Sequence, residues 1–205
     1  MKICFISDTH NQHVEVPKCD LLIHSGDFSG RGTEKELRNF NKWMGSIDLP
    51  ATHKIVIAGN HDFIFERDNL WARSLVTEFT YLQDELYEVD GLRIYGSPWQ
   101  PEFFNWAFNL TSDKLKDVWK MIPYNLDILI THGPPLGVRD ITAEGDHVGC
   151  IHLLDAVLEK MPRVHAFGHI HEGYGISNCN GVKFVNASSV NLMYEQVNHA
   201  ITLDL

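Results

Sequence analysis

The segment Ile55-Val56-Ile57-Ala58-Gly59-Asn60-His61-Asp62 contains the pattern on which the rest of this chain is built. Its first four residues are apolar and mostly β-branched, which favours a buried β-strand, and Gly59 interrupts the run. Asn60, His61 and Asp62 follow directly, so we predict that they lie in the turn beyond the carboxyl end of the strand. Ligands of open α/β sheets bind at that end of the strands. The segment therefore predicts a reaction centre at one edge of a sheet.

Four other apolar runs end in the same way, in polar side chains that commonly bind metal ions. These side chains are Asp8 and His10, Asp27, His132, and His169 and His171. If the strands are parallel neighbours, all five clusters meet at one edge of the sheet. Imidazole, carboxylate and amide oxygen without thiolate favour Mn, Fe or Zn in a catalytic site over a structural zinc site. Together with Asn60, these groups exceed the needs of one ion, which predicts a two-metal site with a shared carboxylate.

The placement of the clusters, more than any single residue, supports metal binding. A lone histidine on a strand is more commonly a core or surface residue than a ligand, and D-x-H occurs frequently by chance. G-H-x-H is more specific, because His169 and His171 face one side of an extended segment. The remaining histidines lack a position at a strand end and are predicted to be ordinary residues: His13, His24, His53, His147, His152, His165 and His199.

The pattern between the clusters predicts a mixed α/β chain. Further strands are predicted over 2–6, 21–24, 86–89, 92–95, 127–131, 163–167, 182–186 and 200–205. Helices are predicted after the capping box at Thr33, over 69–76, after Thr111 or Ser112, and over 149–161. Asp90-Gly91 predicts a hairpin, and consecutive strands without an intervening helix mean that the sheets are mixed. No repeat or linker interrupts the chain, so residues 1–205 are interpreted as one domain.

Composition limits the partners and the compartment. The formal net charge of −10 disfavours nucleic acid as a partner, because a polyanion would meet repulsion. The four cysteines have no C-x-x-C spacing and lie in or near apolar runs, which predicts reduced thiols in a reducing compartment. No signal peptide or membrane-spanning segment is recognisable. We therefore expect a cytoplasmic protein without a membrane partner, and the oligomeric state stays open.

The motifs, taken in order, resemble those of the calcineurin-like metallophosphoesterase superfamily. They are D-x-H at 8–10, G-D at 26–27, G-N-H-D at 59–62, H at 132 and G-H-x-H at 168–171. The similarity extends over nearly the whole chain, and segments 54–61, 94–101, 130–137 and 167–175 are most similar to metallophosphoesterase-domain-containing proteins. The resemblance implies an α/β fold of mixed α+β character, a four-layer α/β/β/α sandwich with two mixed sheets. It also implies a phosphodiesterase of cyclic nucleotides and related esters, usually with manganese.

The resemblance also implies a role for each residue of the site. One metal ion would be bound by Asp8, His10, Asp27 and His171, and the other by Asp27, Asn60, His132 and His169. Both ions would be divalent, with Mn first and Fe or Zn as alternatives. A hydroxide between them would attack phosphorus, and His61 would protonate the leaving oxygen or stabilise charge on the phosphoryl oxygens. Arg31 would be available to pair with phosphate.

One position departs from the superfamily pattern. Many of its phosphatases read G-D-x-x-D-R-G, where the second Asp orients the catalytic histidine, and this chain has Gly30 there. The change argues against the Ser/Thr protein phosphatase branch and leaves open what orients His61. Asp62 is predicted to contribute to catalysis in this way, and an equally good interpretation is that Asp62 caps the turn that follows.

The segment 96–109 (GSPWQPEFFNWAFN) is an aromatic loop without a clear period. Its large aromatic residues are Trp99, Phe103, Phe104, Trp106 and Phe108. We predict that the loop forms a substrate wall in which Trp99 and Phe103 stack on a nucleobase. The alternative is that these side chains cover the sheet as a minor core.

The predicted function is hydrolysis of small phosphodiesters, with cyclic nucleotides (cAMP or cGMP) as the first substrates to test. The partner would then be a small-molecule phosphodiester or nucleotide. A phosphomonoesterase or a nuclease of the same superfamily is an alternative, and acidity without a basic stripe counts against the nuclease. A non-catalytic scaffold, similar to the metallophosphoesterase-like subunit of retromer, is a third possibility. Retention of every ligand and of His61 counts against the scaffold.

Overall fold

The computed structural model describes all residues from Met1 to Leu205. Its strands are β1 (Lys2–Ile6), β2 (Leu21–His24), β3 (Lys54–Val56), β4 (Thr80–Tyr81), β5 (Glu85–Val89), β6 (Leu92–Ser97), β7 (Gln100–Pro101), β8 (Asn109–Leu110), β9 (Ile128–Thr131), β10 (Val164–Phe167), β11 (Gly175–Cys179), β12 (Val182–Asn186) and β13 (Ile201–Asp204). Its α-helices are α1 (Glu34–Ser46), α2 (Phe63–Arg67), α3 (Asn69–Ser74), α4 (Ser112–Lys120) and α5 (Ile151–Lys160). A bilayer could not be crossed by any of these helices, since each is too short and too polar.

Two large mixed sheets carry the fold. The first has the strand order β13-β1-β2-β3-β4, in which only the pairing of β13 with β1 is antiparallel. The second has the order β11-β12-β10-β9-β6-β5, with four parallel strands in the middle and an antiparallel strand at each edge. The hairpin predicted at Asp90-Gly91 joins β5 to β6. The mixed topology that consecutive strands predicted is therefore confirmed.

Alternation of side chains along the strands explains why the molecule has four layers. Ile3 of β1 faces the second sheet and joins an apolar core between the two sheets. Cys4, its neighbour, faces the opposite way and packs in a second core with the apolar side of α1. On the outer face of the second sheet, Leu129 of β9 packs in a third core with Trp119 of α4 and Val157 of α5. The predicted α/β/β/α sandwich with two mixed sheets is confirmed.

Local signals located the longer elements well and the short ones poorly. The capping box is present, because Thr33 Oγ1 accepts from the Glu36 N–H at 3.3 Å and Glu36 Oε2 accepts from the Thr33 N–H at 2.9 Å. The helix predicted over 69–76 ends at Ser74. Helix α2 and strand β11 were not predicted. A helix of five residues shows no period, and β11 is a largely exposed edge strand without an apolar run.

The carboxyl ends of five parallel strands meet at one end of the molecule. The loops after β1 and β2 are joined by a hydrogen bond from the Asp8 N–H to Gly26 O at 2.9 Å. The two sheets are joined there as well, because the Ser189 N–H donates to Ser7 O at 2.8 Å. The polar clusters that follow β1, β2, β3, β9 and β10 are thereby brought together.

Candidate active site

Asp27, in the loop after β2, lies at the centre of the polar clusters. Its carboxylate is only 3% exposed, and Oδ2 is 3.5 Å from His132 Nε2. The same oxygen is 3.9 Å from His10 Nε2 and 3.9 Å from His61 Nε2. Oδ1 accepts a hydrogen bond from the backbone N–H of His61 at 2.7 Å. One oxygen therefore faces three imidazoles while the other fixes the orientation of the carboxylate.

Asp8, His10 and His171 form a first group of potential metal ligands. His171 Nε2 is 3.6 Å from Asp8 Oδ1. The Asp8 carboxylate is held from behind by the hydroxyl of Ser188 at 2.7 Å and by the backbone N–H of His169 at 3.0 Å. This group combines the loops after β1 and β10, and so it joins the two sheets.

A second group contains Asp27, His132 and His169, and Asn60 extends it. Asn60 Oδ1 lies 2.8 Å from His132 Nε2. His10, Asp27 and His61 form a further group between these two. All seven residues predicted as ligands thus lie in adjoining groups, which are connected through His10 and Asp27.

The second nitrogen of four histidines faces a backbone carbonyl. The pairs are His10 Nδ1 with Ser29 O at 3.2 Å, His61 Nδ1 with Gly30 O at 2.8 Å, His132 Nδ1 with Ser25 O at 3.0 Å, and His171 Nδ1 with Asn191 O at 3.1 Å. A carbonyl oxygen only accepts, so each Nδ1 carries a proton, and the Nε2 of a neutral ring presents a lone pair to the cluster. Histidines that bind metal ions are fixed in this way.

An unsatisfied nitrogen shows that the residues fit bound cations. His10 Nε2 is buried and has no hydrogen-bond partner. A buried polar atom without a partner is costly, and a metal ion at this position would satisfy it. Asn60 Oδ1 and His132 Nε2, which lie 2.8 Å apart, are both good metal ligands and could bind a second ion together. The donor set of carboxylate, imidazole and amide oxygen therefore fits divalent metal ions.

Burial and neighbouring charges shift the pKa values of the potential ligands in different directions. Burial lowers the pKa of His169 to about 3, which keeps its ring neutral and able to bind a metal ion. Burial also lowers the pKa of His132, but the Asp27 carboxylate outweighs it and raises the pKa to about 9. For Asp27, burial raises the pKa and His132 outweighs this, so the pKa lies well below the usual range of a carboxyl group. A cation that binds His132 must therefore displace a proton.

Four of the potential ligand residues have a left-handed backbone. Their φ angles are 51° for Asp8, 41° for His10, 57° for Asp27 and 67° for His169. Residues other than glycine adopt this conformation at a cost, and they keep it only where surrounding contacts hold them. The hydrogen bonds of Asp8 and Asp27 provide those contacts.

Asp62 joins the loop of Asp27 to the loop of Asn60. Its buried carboxylate accepts from the N–H groups of Asp27 at 2.9 Å, Gly59 at 2.8 Å and Ser29 at 3.0 Å, and from the Ser29 hydroxyl at 2.6 Å. Burial and Asp27 raise the pKa of Asp62 to about 7, against the effect of the hydrogen bonds to Ser29 and Gly59.

Neither interpretation of Asp62 from the sequence agrees with these contacts. Asp62 makes no hydrogen bond to the imidazole of His61, and its side chain does not cap α2. The prediction that Asp62 contributes to catalysis by orienting His61 is corrected, because both of its oxygens are occupied by donors from the loops behind the site. Asp62 instead fixes the position of Asp27.

The backbone carbonyl of Gly30 orients His61. Gly30 O receives the His61 Nδ1–H at 2.8 Å, and Glu36 Oε1 accepts the Gly30 N–H at 3.0 Å. Partial burial raises the pKa of Glu36, but hydrogen bonds from Thr33, Asn11 and Gly30 outweigh it and lower the pKa to about 2. An ionised Glu36 thus holds the segment that orients His61.

A cleft of about 540 Å³ opens in front of the ligands. Three aromatic side chains (Phe103, Trp106 and Tyr194) and three carboxylates (Glu102, Glu144 and Glu172) line it, together with Asp27, Asn60, His61, His169 and His171. Neither Lys nor Arg lines the cleft. The Trp106 ring lies beside His61, with the ring centroids 4.2 Å apart. The cleft therefore combines an aromatic wall with an acidic rim.

Some side chains of the aromatic loop line the cleft, and others pack in the core. Phe103 lines the cleft as predicted, with 52% of its surface exposed. The prediction for Trp99 is wrong, because its Nε1–H donates to Asp84 at 2.7 Å and its ring packs against the buried Phe108. Trp106 occupies the place that was expected for Trp99. The minor-core interpretation thus holds for Trp99 and Phe108.

Arg31 does not line the main cleft. It is exposed and lines a separate pocket with Arg67, on another side of His61 and Trp106. A direct contact of Arg31 with a phosphate bound between the metal ligands is not supported by this position. His24 and His165, predicted to be ordinary residues, are buried and each is hydrogen-bonded to a threonine.

Ser188 and Tyr194 are among the site residues that were not predicted from the sequence. Ser188 follows β12, so the rule that polar residues gather after parallel strands would have found it. Tyr194 lies further along a polar loop, and no local pattern distinguishes it.

Comparisons with known proteins agree with this geometry. The sequence profile of calcineurin-like phosphoesterases matches residues 1–173. The chain is 42% identical over 228 residues to metallophosphoesterase domain-containing protein 1 of Homo sapiens, and the match covers 98% of this chain and 69% of that protein. It is 27% identical over 160 residues to a 3',5'-cyclic-nucleotide phosphodiesterase of Nostoc sp., with coverages of 77% and 58%. Among solved structures, the protein TT1561 of Thermus thermophilus has a TM-score of 0.63 at 13% identity, with coverages of 90% and 88%, and shares the fold.

Replacement of Asp62 is expected to weaken metal binding. In Asp62→Asn an amide N–H would face backbone N–H groups, so Asp27 would lose its fixed position. We expect Mn²⁺ affinity to fall by about 10- to 100-fold, as for other residues that support metal ligands. Calorimetric titration of the metal-free chain measures this, with the exposed Asp117→Asn as the matched control. An affinity equal to that of the unmodified chain would contradict the role of Asp62.

Proposed function

We propose that this chain, which belongs to the calcineurin-like phosphoesterase family, hydrolyses small phosphodiesters at a centre of two divalent metal ions. Membership of the family implies a metal-dependent hydrolase that acts on phosphoesters. The observation that carries the proposal is the position of Asp27, whose Oδ2 faces the Nε2 atoms of His10, His61 and His132 within 3.9 Å. A carboxylate shared in this way is suited to bridge two ions.

The ligand residues divide between the two ions at Asp27. One ion would be held by Asp8, His10, Asp27 and His171, and the other by Asp27, Asn60, His132 and His169. Oxygen and imidazole ligands without thiolate suit Mn²⁺, with Fe²⁺ and Zn²⁺ as the alternatives to compare. When bound, two such ions would stabilise charge on the phosphoryl oxygens and activate a water for attack.

His61 would deliver the proton to the leaving oxygen. Its Nδ1–H is fixed on Gly30 O, so Nε2 is the atom left to face the substrate, and the ring lines the cleft. In its protonated form the ring donates from Nε2 and returns to the neutral form after the bond to phosphorus breaks. Proton transfer of this kind contributes about 10²–10⁴-fold to a rate.

The cleft supports a small, weakly charged substrate. Glu102, Glu144 and Glu172 line it without a single Lys or Arg, so a nucleic acid or another polyanion would be repelled. Phe103 and Trp106 offer faces on which a nucleobase can stack. The relative from Nostoc is named a 3',5'-cyclic-nucleotide phosphodiesterase, which makes cyclic nucleotides the first substrates to test.

Removal and return of metal tests the proposal as a whole. We expect bis-p-nitrophenyl phosphate to be hydrolysed with Mn²⁺, no turnover after chelation, and recovery when Mn²⁺ is added. Hydrolysis of p-nitrophenyl phosphate under the same conditions measures the preference for diesters over monoesters. Absence of turnover with Mn²⁺, Fe²⁺ and Zn²⁺ would favour the non-catalytic scaffold.

The role of His61 depends on the leaving group. We expect His61→Ala to lower kcat on a cyclic nucleotide by about 10²–10⁴-fold, because an alkoxide leaves poorly without a proton. The loss on bis-p-nitrophenyl phosphate should be much smaller, because p-nitrophenolate leaves readily. His152→Ala on α5 is the matched control, and metal content is measured for each variant. Equal losses on both substrates, or loss of Mn²⁺, would exclude His61 as the proton donor.

The aromatic wall is tested by substrates with and without a base. Since a stacked base contributes about 1–3 kcal/mol, Phe103→Ala and Trp106→Ala should each raise KM for a cyclic nucleotide about tenfold. KM for methyl p-nitrophenyl phosphate should change less. Phe104→Ala, which removes an exposed ring beside the cleft residues, is the matched control. The same KM increase for both substrates would count against base stacking.

A further inference from the structure

We infer that Tyr194 is a further catalytic residue, whose phenol hydroxyl donates a hydrogen bond to a phosphoryl oxygen of the bound ester. This inference rests on the proposed phosphoesterase function and adds to it a group that neither the metal ligands nor His61 provide. Tyr194 lies in the loop between β12 and β13, outside all of the motifs that the sequence pattern singled out.

The backbone of Tyr194 is held in a conformation that tyrosine rarely adopts. Its φ angle is 58°, in the left-handed region. Its carbonyl accepts from Gln12 Nε2 at 2.7 Å, and its N–H donates to Asn191 O at 2.9 Å. Asn191 O is also the acceptor for His171 Nδ1 at 3.1 Å. One backbone oxygen therefore fixes both a metal ligand and the turn that carries Tyr194, and such held, strained residues are concentrated at functional sites.

The ring of Tyr194 stands beside the potential metal ligands. Its centroid is 4.7 Å from that of His10, 5.8 Å from that of His171 and 6.2 Å from that of His61. The planes are nearly perpendicular to those of His10 and His171, at 86° and 85°. Tyr194 also lines the cleft that opens on Asp27. A phosphoryl group bound by metal ions at these ligands would lie within reach of this side chain.

The hydroxyl of Tyr194 is free to donate. It makes no hydrogen bond within the chain. The buried hydroxyl of Tyr95 has no partner either but lies away from the cleft, and the other four tyrosine hydroxyls (Tyr81, Tyr87, Tyr124 and Tyr174) each donate to a neighbouring acceptor. The side chain is half-exposed in a cleft without Lys or Arg. A neutral O–H donor there binds a phosphoryl oxygen without adding charge. No proton is transferred in this contact, since the phenol only donates a hydrogen bond.

Replacement of one oxygen by sulfur distinguishes this contact from a structural role. The substrates are bis-p-nitrophenyl phosphate and its phosphorothioate, both with Mn²⁺. Mn²⁺ prefers oxygen, so sulfur is left on the side of Tyr194, and sulfur is a weak acceptor. We expect Tyr194→Phe to lower kcat on the oxygen ester about tenfold and to leave the phosphorothioate rate nearly unchanged. Binding of inorganic phosphate to the Mn²⁺-loaded chain should weaken about tenfold, with Mn²⁺ affinity unchanged.

The control and the contrary outcomes separate this inference from the proposed function. Tyr87→Phe removes a phenol hydrogen bond on β5, away from the cleft, and should change neither rate nor phosphate affinity. Equal losses on both esters, or loss of Mn²⁺ from Tyr194→Phe, would overturn the role of Tyr194 while the function stands. If the unmodified chain shows no turnover, the proposed function fails, and phosphate affinity alone then decides whether Tyr194 contacts the phosphoryl group.

Discussion

The buried carboxylate of Asp27 is the constraint on which the rest of the site depends. A carboxylate removed from water is stable only when hydrogen bonds and opposite charges replace its hydration. Here the backbone N–H of His61 donates to Oδ1 of Asp27, and imidazoles from three different loops face Oδ2. Those loops follow β1, β3 and β9, which belong to two different sheets. The two-sheet architecture is therefore the means by which enough partners reach one buried charge.

The loops can approach each other this closely only where side chains are absent. A Cβ at Gly59 would overlap the backbone of Asp27 and the ring of His132, and a Cβ at Gly168 would overlap the Asp8 carboxylate. The glycines of G-N-H and G-H-x-H are thus explained by contact between loops of different strands. Two hydrogen bonds join the loop of Asp27 to the loop of Asn60. The Asp62 carboxylate accepts from the Asp27 N–H, and the Asp27 carboxylate accepts from the His61 N–H.

The sequence predicted the part of the site that follows a simple rule, and it failed where tertiary contacts decide. The side chains predicted as ligands, at the ends of apolar strands, do lie together, because parallel strands bring their carboxyl ends to one edge. The sequence could not show which of Trp99 and Trp106 lines the cleft, since both lie in a loop without a period. Only their contacts distinguish them, because Trp99 donates to Asp84 and Trp106 lies beside His61. The position of Tyr194 in the site could not be predicted for a similar reason. Its place is set by Gln12 and Asn191 through contacts that no local pattern shows.

The distribution of charge around Asp27 restricts which substrates the proposed site would bind. Two divalent cations would outnumber the negative charges of Asp8 and Asp27, so the ligand cluster would become positive at the base of the cleft. Glu102, Glu144 and Glu172 keep the rim negative, and no Lys or Arg offsets them. A suitable substrate would carry one negative charge, on the phosphoryl group, which would lie at the cations. The rest of the substrate would be uncharged and partly aromatic and would lie along the negative rim. In the proposed function a second phosphate would lie against the carboxylates, so we expect polyphosphates and polynucleotides to bind less well than the metal ligands alone would allow.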